Sequence, residues 1–160
     1  MAADEQDANN NNDEQKIMRP QKIYLKDVSL ETPNSPAIFT QEWKPELGVE
    51  FNNSATNISE DLYEVDLRVT VTVAVDGSTA FLAEVHQAGI FTLKGFTADE
   101  LQRVQNVFCL SILYPYACAE VSDLVSKGGF PQLLLRPMNF ERLYKKRLQD
   151  ARGNIDSPAE

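Results

Sequence analysis

The clearest pattern in the chain is Tyr63-Glu64-Val65-Asp66-Leu67-Arg68-Val69-Thr70-Val71-Thr72-Val73-Ala74-Val75, in which every odd position is apolar and every even one except Ala74 is polar. Successive side chains of a strand point to opposite sides, so this alternation predicts a long antiparallel strand with one buried face. Asp76-Gly77 follows at once, the dipeptide that best supplies the positive φ angles of a two-residue hairpin turn. The chain then returns along 79–87, with Phe81, Ala83 and Val85 on one face and Leu82, Glu84 and His86 on the other, until Gly89 interrupts it. Upstream, residues 22–31 read as a strand with Tyr24, Val28 and Leu30 alternating with Asp27, Ser29 and Glu31, ended by Pro33 and Pro36. A long connection carrying Phe39, Trp43 and Pro45 leads to a short strand over 46–52, with Leu47, Val49 and Phe51 on one side. Connections of this length inside compact domains are usually functional.

After Gly95 the period changes from two to about 3.6. Thr97-Ala98-Asp99-Glu100 forms a capping box, and Leu101, Val104 and Phe108 mark a buried stripe. Pro115 is expected to break or kink this helix, because proline lacks a donor and clashes with the preceding turn. A second helix over 116–127 places Ala117, Val121, Leu124 and Val125 at helical spacing, with Gly128-Gly129 as its left-handed cap. Residues 130–138 read as an extended apolar loop. Asn139 caps a last helix with Phe140, Leu143, Tyr144 and Leu148 in one stripe and basic residues opposite.

Strands first and helices afterwards predict an α+β domain: a four-stranded antiparallel sheet with helices packed on one face. The other face would still carry Ile23, Leu25 and Leu82, and an apolar area left open usually marks an interface, so an oligomer is expected. The chain divides into a disordered acidic, Asn-rich arm over 1–18, one domain over 19–150 and a flexible tail over 151–160.

Composition narrows the function more than the fold. With 160 residues, 42% hydrophobic and 24% charged, the chain is neither wholly disordered nor fibrous. No apolar run approaches the roughly 20 residues of a membrane span, and Met1-Ala2-Ala3-Asp4-Glu5 has neither part of a secretory leader. Membrane insertion and secretion are therefore not expected. A net charge of −9 argues against nucleic acid or anionic lipid as the main partner. The charge is uneven: residues 1–15 carry five acids and no base, whereas 136–152 hold Arg136, Arg142, Lys145, Lys146, Arg147 and Arg152 against Glu141 and Asp150, six minus two giving +4. That stripe is either an anion site or the solvated face of a terminal helix.

Chemistry is sparse. His86 is the sole histidine, with Glu84 as its nearest acid along the strand face, and Cys109 and Cys118 lie nine apart around Pro115. These are too few for a disulfide framework or closed zinc site, and no glycine pattern cradles a phosphate. No catalytic, metal or cofactor site is expected. What stands out is the supply of large apolar side chains in predicted loops: Phe39, Trp43, Leu113, Tyr114, Tyr116, Phe130, Leu133, Leu134 and Leu135. They either close the core beneath long loops or line a groove for apolar segments of another chain.

The order of several blocks carries a family resemblance: 23–36 (Ile23-Tyr24-Leu25-Lys26-Asp27 through Asn34-Ser35-Pro36), Trp43-Lys44-Pro45-Glu46, Tyr63-Glu64-Val65, Phe81-Leu82-Ala83-Glu84-Val85, Gly89-Ile90-Phe91, Ile112-Leu113-Tyr114-Pro115-Tyr116-Ala117 and Gly129-Phe130-Pro131-Gln132-Leu133. From Lys22 to Tyr144 the chain closely resembles the SecB family of bacterial export chaperones. The resemblance implies a cytosolic homotetramer, a dimer of dimers. It would hold unfolded preproteins without ATP or any cofactor and pass them to the SecA motor of the Sec translocase. It implies SecA docking at Asp27, Glu31, Leu82 and Glu84. It ties Phe81, Ala83, Val85 and Gln87 to assembly and client binding, and places Phe39, Trp43, Leu113, Tyr114, Tyr116 and Phe140 at the client groove.

Three features depart from the family pattern: Cys118-Ala119-Glu120 leading into the second helix, Ala83 where the family usually has a cysteine on the strand, and a final helix more basic than the family's, which puts tail contacts with SecA in doubt. Two other readings stand beside export. A dedicated chaperone for one client, such as an antitoxin, would share the whole fold, and a small α+β enzyme would need a reactive dyad.

Overall fold

The computed structural model describes residues 15–155, with side chains to Gly153. Strands β1 (Ile17–Glu31), β2 (Glu46–Ser59), β3 (Leu62–Val75) and β4 (Ser78–Lys94) form one antiparallel sheet in the order β1-β4-β3-β2. Helix α1 (Ala98–Arg103), a π-helical segment (Val104–Cys109) and α2 (Leu110–Lys127) run on as one rod, and α3 spans Phe140–Ile155. A 3₁₀ turn, Ala37–Thr40, lies in the long connection. The expected α+β sheet is therefore observed.

Local signals worked where a few side chains decide the backbone. Asp76 and Gly77 adopt φ 48° and 77°, the left-handed pair of a type I′ turn. Thr97 Oγ1 accepts from the Glu100 amide while Glu100 accepts from the Thr97 amide. At the end of α2, Gly129 has φ 88°. Its amide donates to Ser126 O and that of Phe130 to Val125 O, which is the Schellman closure. Asn139 Oδ1 accepts from the Arg142 amide at 3.0 Å.

Elsewhere the elements are longer than the pattern suggests. β1 begins at Ile17 rather than Lys22, so the end of the proposed arm is strand; residues 1–14 lie outside the described residues. α3 continues through 151–155, where a tail was expected; residues 156–160 are outside the described residues. β2 continues to Ser59 because its polar half, Asn52–Asn57, pairs with Arg68–Tyr63 of β3, and partner strands, not propensity, hold such residues extended. β4 passes straight through Gly89, which pairs with Ile23 and Val65. A Cβ at Gly89 would lie 2.7 Å from Phe91 Cε2 and 3.2 Å from Ile23 Cδ1; glycine lets the Phe91 ring lie against the backbone.

The rod is also unbroken at Pro115. Leu113, Tyr114 and Ala117 around it are buried, and burying such side chains at roughly 1.5–3 kcal/mol for a large one offsets the cost of about 3 kcal/mol or more for an internal proline. By length and composition the whole Ala98–Lys127 helix is apolar enough to cross a membrane, contrary to the reading of short apolar runs. Its Leu110, Leu113, Ala117, Val121 and Val125 instead form the core with Val65, Leu67, Val69, Val71, Phe81, Ala83 and Val85 of the sheet.

Two irregularities in β1 change which residues share a face. Register shifts lie between Pro20 and Lys22 and between Leu25 and Asp27, and each added residue inverts the alternation beyond it. Val28 and Leu30 pair with Val85 and Ala83 on the helix side, but Tyr24 pairs with Ala88 on the open side, opposite to them. Ile23 and Leu25, expected on the open face, pair with Gly89 and Gln87 on the helix side. Of the three apolar residues expected on the open face, only Leu82 is there.

On that open face a charged cluster ties β1 to β3 across β4. Lys26 Nζ stands 2.6 Å from Glu64 Oε1, and the Tyr24 hydroxyl donates to Glu64 Oε2. These bonds, that of Lys26 foremost, hold the Glu64 carboxyl below its ordinary range. Burial, reinforced by Glu64, pushes the Tyr24 phenol up to about 12.

Two stability measurements follow. Gly89→Ala overpacks the Phe91 contact and is expected to cost about 1–3 kcal/mol in urea unfolding. Gly48→Ala, whose added Cβ meets only Thr72 O at 3.8 Å, should change stability by less than about 0.5 kcal/mol; equal effects would refute the packing account. A carboxyl depressed in the fold adds stability that is present above its unfolded value and is lost as pH falls through the folded one. Glu64→Gln should therefore flatten the acid loss of stability below about pH 5, measured by urea unfolding at each pH.

Candidate functional site

The helix-side row of β2 is Leu47, Val49 and Phe51, paired with Val73, Val71 and Val69 of β3. The rod packs over β3 and β4 and leaves this row to the segment after Gly129. Residues 131–139 have no regular backbone pairing, as expected of a stretch containing Pro131 and Pro137. The Tyr114 hydroxyl donates to Arg136 O at 2.5 Å, and Gln132 Nε2 to Ser122 Oγ at 3.3 Å. Burial raises the phenol of Tyr114 above its ordinary value, so it remains a neutral donor that pins the segment.

Between β2 and this segment lies an open cleft of about 320 Å³, walled by Leu47, Val49, Phe51, Tyr114, Leu134 and Met138. Phe51 and Phe140 each meet the Tyr114 ring edge-on, centroids 5.9 and 5.5 Å away. On its other side the segment borders a second cleft of about 420 Å³, with Cys118, Ser122 and Gln132 in its wall. Leu134 lines both clefts and is 73% exposed, and Leu47 at the rim is 52% exposed. Exposed leucines on a shallow groove bind apolar groups by area and shape rather than by fixed polar contacts.

A second aromatic cluster gathers on Phe130, whose ring lies 5.0 Å from Phe39, 5.8 Å from Trp43 and 4.9 Å from Phe81. Phe39 is half exposed and lies over Gly129. The expected groove residues thus divide. Tyr114 and Phe140 stand at the cleft; Phe39 and Trp43 stand on the Phe130 cluster. Tyr116 is exposed on the outer side of the rod. Leu113, Phe81, Ala83 and Val85 are fully buried in the core of this chain, and Gln87, also buried, donates to Tyr24 O. These five build the scaffold here rather than the groove surface. Leu47, Val49, Phe51 and Met138 were not singled out as groove residues. The available signal was the apolar row Leu47, Val49 and Phe51 on a strand that the width of one helix leaves uncovered.

The open face brings the other predicted set together. Asp27, Ser29 and Glu31 pair with His86, Glu84 and Leu82, so Asp27, Glu31, Leu82 and Glu84 share one surface as expected. Arg68 and Thr70 of β3 stand opposite His86 and Glu84. His86 Nε2 lies 2.9 Å from Glu84 Oε1, with Arg68 Nε at 3.9 Å. The His86 bond, more than Arg68, holds the Glu84 carboxyl below its ordinary range. Asp66 and Arg68 of the same face wall a small open hollow of about 150 Å³ with Asn52 and Ser54. Burial drives the Cys109 thiol up to about 12, which suits a small core hydrophobe. Among the described residues no group of three His, Cys, Asp or Glu is arranged to hold a metal.

Comparison with known proteins agrees with this geometry. A family model described as preprotein translocase subunit SecB matches residues 11–151. The chain is 49% identical over 142 residues to the protein-export protein SecB of Legionella pneumophila, covering 89% of this chain and 87% of the relative. It is 52% identical over 131 residues to that of Nitrosococcus oceani, covering 81% and 80%. With that of Alcanivorax borkumensis it shares 44% over 151 residues, covering 92% and 96%. Among solved structures, a Mycobacterium tuberculosis SecB-like chaperone in complex with a ChAD peptide from the HigA1 antitoxin has the same fold. That match has a TM-score of 0.64 at 18% identity, over 76% of this chain and 91% of that one. With the match running through all four strands and the rod and into α3, the chain belongs to the SecB family of protein-export chaperones.

Proposed function

We propose that this chain is an ATP-independent holdase of the cytosol that binds unfolded preproteins and delivers them to the SecA ATPase. The observation that carries the reading is the groove between β2 and residues 134–138, with Leu47 and Leu134 exposed on its rim. A client held by many weak apolar contacts is bound tightly in sum while each contact exchanges quickly. Compact proteins offer no exposed apolar run and are ignored. The relatives at 44–52% identity are export proteins, which favours general export over service to a single antitoxin.

The working species is a homotetramer, a dimer of dimers. The apolar surface that supports self-association differs from the one expected. It comprises Met18, Leu25 and Val28 of edge strand β1, exposed on the helix side, and Phe108 and Tyr116 on the outside of the rod. Apolar area of this extent usually marks an interface. Asp27, Glu31, Leu82 and Glu84 form the SecA-docking face, where the carboxylates attract a cationic element of the motor.

Binding of the purified chain to one preprotein, unfolded and folded, without nucleotide and with light scattering in the same run, tests the reading. Tight binding to the unfolded form alone by a species of about four chains is expected. Leu47→Asp with Leu134→Asp should weaken client binding at least tenfold, since burying each leucine is worth about 1.5–3 kcal/mol and tenfold is about 1.4. The melting temperature should stay within about 2 °C, because both sites are exposed; unchanged affinity would place the groove elsewhere. Asp27→Ala with Glu84→Ala should weaken SecA binding several-fold in an intact tetramer, measured by calorimetry. Unchanged SecA affinity would move the docking surface off this sheet.

A further inference from the structure

Beyond Phe140 at the cleft, neither the groove nor the acidic sheet face uses α3, although α3 carries the largest concentration of positive charge in a chain of net charge −9. One helix turn buries Phe140 and half-buries Leu143 and Tyr144. Arg142, Lys145, Lys146 and Gln149 recur at three- and four-residue spacing and therefore share the opposite, outward side. They line a shallow concavity of about 380 Å³ with Asn139 and Glu141. Glu141 is already held by Arg103 at 2.8 Å and reaches Lys145 only at 3.9 Å. Among the described residues no carboxylate stands within ion-pair distance of Arg142 or Lys146. Three cations sharing one concavity repel one another, and an anionic partner would relieve that repulsion.

The same chain contains the complement. Residues 1–14 hold Asp4, Glu5, Asp7, Asp13 and Glu14 and no lysine or arginine. The described chain starts beside α1, which is itself bonded to α3: Lys16 Nζ is 2.7 Å from Glu100 in α1. Arg103, one turn along α1, bonds Glu141 in the first turn of α3. Two ion pairs and about 5 Å of helix rise thus separate the start of the described chain from the concavity. Fourteen residues reach up to about 45–50 Å, so the span is covered with slack.

We propose that the acidic segment 1–14 docks on the outward face of α3 and neutralises Arg142, Lys145 and Lys146. The segment is tethered, so its local concentration at α3 is on the order of millimolar and weak ion pairing suffices to occupy the face. The contact keeps free acidic polymers off a basic helix that adjoins the client groove. It also restricts the chain's net negative field to the open face of the sheet.

Zero-length carbodiimide cross-linking of the full-length protein, read by peptide mass spectrometry, tests this. Cross-links from Asp4, Glu5, Asp7, Asp13 or Glu14 to Lys145 and Lys146 should exceed those to Lys44, an exposed control, at least fivefold. They should fall several-fold in about 0.5 M salt, where the screening length is only about 4–5 Å. An even spread over the exposed lysines, or insensitivity to salt, would overturn the proposal. An independent measurement uses a fluorescent peptide copying residues 1–14. It should bind about tenfold more tightly to a full-length variant carrying Asp4→Asn, Glu5→Gln, Asp7→Asn, Asp13→Asn and Glu14→Gln than to the unaltered protein, because the tethered competitor is gone. Equal binding to the two, or binding to neither, would show that the segment does not occupy α3. Arg142→Glu with Lys146→Glu, which alters only exposed positions, should abolish the gain.

Discussion

A helix with its side chains is about 10 Å across and neighbouring strands are about 4.8 Å apart, so one helix covers about two strands. Here one rod lies on a sheet of four, over β3 and β4. The helix-side rows of the two edge strands, β1 and β2, cannot be covered by it. Each must be closed by something else, and the functional surfaces follow from how each is closed.

On β2 the closure is partial. The extended segment after Gly129 hangs over Leu47, Val49 and Phe51, held chiefly by the Tyr114–Arg136 hydrogen bond and the Phe140 ring. A backbone without regular pairing cannot seal the row, so clefts remain on either side of it. On β1 the closure is also partial: Ile23 and Leu30 pack against the core, whereas Met18, Leu25 and Val28 stay exposed. The two edges thus differ in kind: β2 borders an open apolar groove, while β1 leaves a row of half-exposed apolar side chains at the rim of the sheet.

The electrostatics are segregated in the same way. Carboxylates of Asp27, Glu64 and Glu84 sit on the open face among a few paired cations. Arg142 and Lys146, without a carboxylate in ion-pair range among the described residues, lie on α3, whose Arg147 reaches Asn53 of β2. A net charge of −9 opposes self-adhesion of a chain with an apolar groove, while the segregation gives its surfaces distinct signs.

The sequence by itself determined the elements whose geometry depends on near neighbours: the alternating β3 and the first half of β4, the Asp76-Gly77 turn, the Thr97–Glu100 box, the Gly129 cap and the Asn139 cap. In each, a few adjacent residues set the dihedral angles. Block order along the chain likewise sufficed to identify the family. Only the tertiary structure decided the rest. The phase of β1 turned on register shifts that a partner strand imposes, so Tyr24 and Leu25 exchanged faces. The polar half of β2 became strand because β3 supplied its hydrogen bonds, and Pro115 stayed inside a helix because burial on the sheet outweighed one lost donor. The groove belongs to this second class, since Leu47, Phe51, Tyr114 and Leu134 come from three separate elements. What joins them is the width of a helix against the width of a sheet, a relation that exists only once the chain has packed.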